Sequence, residues 1–103
     1  MREAKACRGA ELAENSVRRV SIEGRAVALV RCGGQLYALA DSCPHKGGYL
    51  SDGRLHAGRG ELICPWHRFR FRLSDGTSVT NPEMRARTYP VREQDGDILI
   101  GIG

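Results

Sequence analysis

Residues 26–40 read Ala-Val-Ala-Leu-Val-Arg-Cys-Gly-Gly-Gln-Leu-Tyr-Ala-Leu-Ala, two apolar runs around a glycine pair. Each run has the length of one strand. Gly33-Gly34 supplies the positive φ that a two-residue primed turn demands, so the segment reads as a β-hairpin. Short apolar or β-branched segments recur on both sides, bounded by Gly, Asp or Asn. Ser16–Ile22 stops at Glu23-Gly24, and further strands are expected at Glu61–Cys64, Phe69–Leu73, Ser78-Val79, Thr88–Arg92 and Ile98–Ile102. Ser74-Asp75-Gly76 and Gln94-Asp95-Gly96-Asp97 are turns between them. Helical periodicity is scarce. Many short strands joined by tight turns predict an all-β sandwich or small barrel.

Two loops in this pattern carry metal-ligand chemistry. Cys43-Pro44-His45 follows the hairpin's second strand, and Cys64-Pro65-Trp66-His67 follows Glu61-Leu62-Ile63. Each loop brings one thiolate and one imidazole, as C-x-H and then C-x-x-H. Such a set can hold a [2Fe–2S] cluster, with thiolates on one iron and imidazoles on the other. Each proline restricts the backbone beside its cysteine and removes an N–H. Gly47-Gly48 lets the chain pass close to inorganic sulfide, where a Cβ would crowd. A zinc-stabilised interaction module is the competing reading, because zinc accepts the same four side chains. Familiar zinc spacings group Cys with Cys and His with His; alternation within matching loops favours the cluster.

The remaining composition narrows the function classes. A length of 103 residues holds one domain, and 41% hydrophobic with 27% charged residues is ordinary for a globular chain. No apolar run reaches the roughly 20 residues a spanning helix needs. Met1-Arg2-Glu3-Ala4-Lys5 lacks the apolar core of a secretory signal, so a cytoplasmic protein is expected. The net charge of +4 comes from scattered Lys and Arg without a basic stripe or an array of stacking aromatics. It points to acidic protein partners and not to nucleic acid. Cys32 closes an apolar run and reads as a small buried side chain, while Cys7 is uninformative. His56, with no partner at metal spacing, reads as a surface residue.

These residues resemble those of Rieske-type ferredoxins, the small electron carriers of bacterial ring-hydroxylating dioxygenases and related oxygenases. The likeness runs from about Val27 to Ile100. It rests on Leu36-Tyr37-Ala38-Leu39, Asp41-Ser42-Cys43-Pro44-His45, Gly47-Gly48, Leu50-Ser51-Asp52-Gly53, Cys64-Pro65-Trp66-His67, Phe71, Gly76, Tyr89-Pro90-Val91 and Asp95-Gly96. It implies three antiparallel sheets in a single domain, 1–103. A small cluster-binding subdomain, about residues 41–72, stands at the tip of a basal sandwich or barrel. It also implies one [2Fe–2S] cluster per chain, with Cys43 and Cys64 on the inner iron and His45 and His67 on the outer. The partners implied are a flavoprotein ferredoxin reductase fed by NAD(P)H and a terminal oxygenase, with the chain a monomeric carrier and not an enzyme. A small Rieske subunit of an assimilatory nitrite reductase is the alternative. A terminal oxygenase subunit is not expected, since it needs a large C-terminal domain.

Departures from the family pattern are informative. Members often have Gly directly after the second ligand His, where this chain has Arg68. High-potential members add a disulfide between the two loops, and the matching positions here are Gly48 and Trp66. They also place Ser and Tyr hydroxyls near the cluster, where this chain has Phe69 and Phe71. Without those donors reduction is harder, so a potential near the low end of the Rieske range, around −150 mV, is expected.

Overall fold

The hairpin read from the sequence is the centre of the molecule. A computed structural model of the chain describes residues 2–42, 48–65, 68–79 and 81–102. Strands β1 (Arg2–Arg8), β2 (Ser16–Ile22), β3 (Arg25–Cys32) and β4 (Gln35–Ala40) are followed by β5 (Arg54–His56), β6 (Glu61–Ile63) and β7 (Arg70–Arg72). The chain closes with β8 (Thr88–Tyr89), β9 (Val91–Gln94) and β10 (Asp97–Ile102). They pair into three antiparallel sheets, ordered β1-β10-β9, β2-β3-β4-β8 and β5-β6-β7. The expected all-β class and three-sheet arrangement are both present.

β3 reads as a continuous apolar run because it is covered on both faces. Val27 and Leu29 point into a core shared with Val20, Ile22, Ile98, Ile100 and Ile102. Ala28 and Val30 point the opposite way, into a second core with Leu39, Leu50, Leu62, Cys64 and Phe71. The period-2 geometry of a strand thus serves two cores at once. The first core joins the two larger sheets, and the second seats the small β5-β6-β7 sheet against the hairpin. Full burial of side chains such as Leu29, Leu62 and Phe71 contributes about 1.5–3 kcal/mol each. At the hairpin tip Gly33 and Gly34 take φ of 60° and 77°, as a primed turn requires.

Several expected boundaries move, each for a local reason. Thr88–Arg92 is not one strand. Pro90 has no N–H to give and divides it into β8 and β9, which belong to different sheets. Ser78-Val79 is not a strand; Ser78 makes an isolated bridge with Phe71. β6 stops at Ile63, one residue before Cys64, and β7 is trimmed to Arg70–Arg72. β1 and β5 carry no assignment in the sequence reading. β1 is recruited by β10 across nearly the whole chain, with Arg2 opposite Ile102. Cys7 and Cys32 are buried thiols, the latter with Sγ 3.6 Å from the Ala57 carbonyl, and His56 is exposed.

Candidate metal centre

Of the four proposed ligands, the structure places Cys64; Cys43, His45 and His67 lie outside the described residues, as do Gly47 and Trp66. Cys64 sits immediately past β6, fully buried in the second core beside Leu62 and Phe71. Its N–H donates to the Phe69 carbonyl at 2.7 Å, which ties Cys64 to the turn residues that lead into β7. Arg68 enters that turn at φ 56°, in the left-handed region. Family members that carry Gly there avoid a Cβ penalty that this chain bears.

Gly53 fixes the backbone on the other side of Cys64. Its φ of −88° and ψ of −150° are open to any residue, yet a Cβ there would lie 1.8 Å from the Ile63 carbonyl oxygen. The loop leaving the short 3-10 turn Leu50–Asp52 therefore presses directly on the last residue of β6. Only a bare Cα fits that approach.

The loop holding the first Cys-x-His pair is fastened at both ends. Before it, Asp41 is buried and accepts from the Ser51 N–H at 2.8 Å, from the Ser51 hydroxyl, and from Arg19 Nε at 3.0 Å. After it, Arg19 Nη2 donates to Asp52 at 2.6 Å, and the guanidinium stacks 3.8 Å above the Tyr49 ring. Leu50, wholly buried, anchors the same turn in the second core. Sequence reasoning named Asp41, Ser51 and Gly53 only as part of a family pattern and missed Arg19. Its partner stands 22 residues away and no local spacing announces it.

A cavity of about 430 Å³ opens beside Cys64, lined also by Asp52, Gly53, Arg54, Ile63, Pro65 and Arg68. Among the described residues, no three His, Cys, Asp or Glu side chains gather as a metal site. The fit to an iron–sulfur group rests on the donor chemistry and on the tight backbone cradle. A thiolate in an apolar core needs a cation beside it, and Cys64 borders both the core and the cavity. Arg54 and Arg68 stand exposed at the cavity rim with no ion pair among the described residues. Glu61 is buried 3.5 Å from Arg70, and its Oε1 has no hydrogen-bond partner among the described residues.

Comparison with known proteins agrees with this architecture. The Rieske [2Fe-2S] domain family matches residues 2–92. The ferredoxin component of the naphthalene 1,2-dioxygenase system of Pseudomonas aeruginosa is 34% identical over 93 residues, covering 89% of this chain and 88% of that protein. The solved ferredoxin of carbazole 1,9a-dioxygenase from Nocardioides aromaticivorans superposes with a TM-score of 0.90 at 27% identity, covering 97% of both chains. A carbazole 1,9a-dioxygenase complex of reduced oxygenase with oxidized ferredoxin gives 0.86 at 27% identity, over 95% of this chain and 91% of that one. Motif, three-sheet fold and similarity over most of the chain converge: the chain belongs to the family of Rieske [2Fe-2S] domains, whose cofactor is a [2Fe-2S] cluster.

Proposed function

We propose that this chain is the ferredoxin component of a ring-hydroxylating oxygenase system. It takes one electron at a time from an NAD(P)H-dependent flavoprotein reductase and delivers it to a terminal oxygenase. The observation that carries this reading is the reciprocal coverage with the naphthalene-system ferredoxin, 89% and 88%. The match takes in most of both chains, and the counterpart is a ferredoxin component. Among the described residues no helix is long and apolar enough to cross a membrane. A monomer working in the cytoplasm fits this role.

Within the chain, residues 41–72 form the cluster-binding part of one domain spanning 1–103. Cys43 and Cys64 are the proposed ligands of one iron, and His45 and His67 of the other. When bound, the cluster supplies reversible one-electron chemistry. The protein's own residues set the conditions for it. Cys64 is withdrawn into an apolar core, and Phe71, wholly buried beneath it, offers no hydroxyl to stabilise added negative charge. Phe69 packs on the same core. Both favour a low potential. Arg54 and Arg68 present positive charge at the cavity rim, suited to an acidic face on a redox partner.

Reconstitution with a candidate reductase and oxygenase tests the proposal. NAD(P)H should reduce the cluster through the reductase, and substrate hydroxylation should require this protein. Electron delivery to a nitrite reductase and not to an oxygenase would overturn the assignment.

A further inference from the structure

Of the ion pairs among the described residues, one has a carboxylate with no exposed side-chain surface: Asp41 with Arg19. Pairs such as Arg2 with Glu23 and Arg92 with Glu3 lie at the surface of the basal sheets, and Glu61 with Arg70 keeps a little carboxylate exposure in the small sheet. Burying the carboxylate costs desolvation that its attraction to the half-exposed Arg19 only partly returns, so stability alone is a weak reason for the pair. Its location supplies a better reason. Asp41 is the first residue after β4, and its acceptors are filled by Ser51 and Arg19. Arg19 reaches from β2 to the far side of the same loop, where it meets Asp52 and the face of Tyr49. Its Nε also lies 3.1 Å from the Ser51 hydroxyl. One planar guanidinium thus engages the chain at 41 and again at 49–52, and the proposed ligands Cys43 and His45 lie between these points.

We propose that Arg19 and Asp41 are positioning residues that hold the first ligand segment in cluster-binding register. The idea rests on the cluster reading given above and adds residues that bear no ligand. Leu50 already anchors the segment after the loop by apolar burial, which fixes its depth. Burial is non-directional and leaves the segment free to turn about that anchor. The forked hydrogen bonds from Arg19 and the fixed acceptors of Asp41 supply the missing orientation. Lysine at position 19 keeps the charge but loses the fork, so it should restore only part of the effect.

The experiment uses the anaerobically purified, cluster-loaded protein and its Arg19→Gln, Arg19→Lys, Asp41→Asn and Ser51→Ala variants. Arg92→Gln serves as a control that breaks a remote ion pair, the one with Glu3. Two signals are read: the rate at which an iron chelator strips the cluster, and the electron paramagnetic resonance line shape after dithionite reduction. Arg19→Gln and Asp41→Asn should release iron about tenfold faster or more and broaden the spectrum, as loss of a charge-assisted bond implies. Ser51→Ala, which keeps its N–H bond, and Arg19→Lys should fall between these and the unaltered protein; Arg92→Gln should match the latter. Should Asp41→Asn not fold, Ser51→Ala and Arg19→Lys carry the test. Release within about twofold of the unaltered protein and an unchanged line shape, with only the melting temperature lowered, would overturn the proposal. An unaltered protein that takes up no iron would instead overturn the cluster reading itself, and the positioning role with it.

Discussion

Replacing Gly53 by alanine adds one methyl group at the point where two loops of the metal centre touch. That methyl would stand 1.8 Å from the Ile63 carbonyl oxygen, 2.9 Å from its carbon and 3.1 Å from Pro65 Cδ. A real Cβ essentially never approaches closer than 3.0 Å, so the backbones must part by at least about 1.2 Å. What must give way is the Ile63 backbone carbonyl on one side of Cys64, with the Pro65 ring pressed on the other, and no flexible side-chain tip can absorb the shift. Overpacking of this kind costs about 3 kcal/mol. For a domain of this size that lowers the melting temperature by roughly 12–24 °C. Gly60→Ala is the matched comparison. It adds the same methyl at φ 64° with no atom within 4 Å, so it bears only a left-handed penalty of about 1 kcal/mol. Thermal unfolding and iron content per chain, measured on both variants, separate the two effects. Gly53→Ala should lose most of its iron, whereas Gly60→Ala should load normally and melt only a few degrees lower. Equal loading and equal stability in the two variants would refute the claim that Gly53 sets the position of Cys64.

The other expected outcomes are simpler. Arg68→Gly removes a Cβ from a residue at φ 56° and should change stability by no more than about 1 kcal/mol in the favourable direction, read by thermal melting. Arg54→Glu with Arg68→Glu should raise the KM for the redox partner at low salt and leave the reduction potential nearly unchanged, a difference that fades as salt screens the charges. The hydrogen bond from Arg92 holds the Glu3 carboxyl below its ordinary value of 4.5. A depressed folded-state value stabilises the fold above the unfolded value and is lost as pH falls through the folded one. Arg92→Gln should therefore weaken hydrogen-exchange protection of β1 at neutral pH, and the two proteins should converge in acid. A redox titration should give a midpoint around −150 mV, and one above about 0 mV would contradict the role assigned to Phe69 and Phe71.

The parts of the fold legible in the sequence are those whose cause is local. Gly33-Gly34 with its flanking apolar runs announced β3 and β4, because turn and burial are both written within 15 residues. Ser16–Ile22 was equally plain, ending at Glu23 and Gly24, which take φ of 50° and 80°. β1 was not legible. Arg2, Glu3, Lys5 and Arg8 leave little apolar pattern, and its pairing with β10 is a long-range event. Pro90 was visible as a residue, but that it divides two sheets follows from where β10 lies. At the metal centre the sequence proposes a donor set from its spacing, of which the described residues include Cys64 alone, and Gly53 entered only through the family pattern. The Arg19–Asp41 contact was not legible, since it joins β2 to the end of β4 through tertiary packing.

Pulsed electron paramagnetic resonance of the dithionite-reduced, anaerobically prepared protein addresses the central assignment most directly. The account predicts a paramagnetic diiron centre with strong couplings to nitrogens of two histidines, and their loss when either His45 or His67 is replaced. A silent sample containing zinc, or a diiron signal without histidine nitrogen coupling, would contradict it.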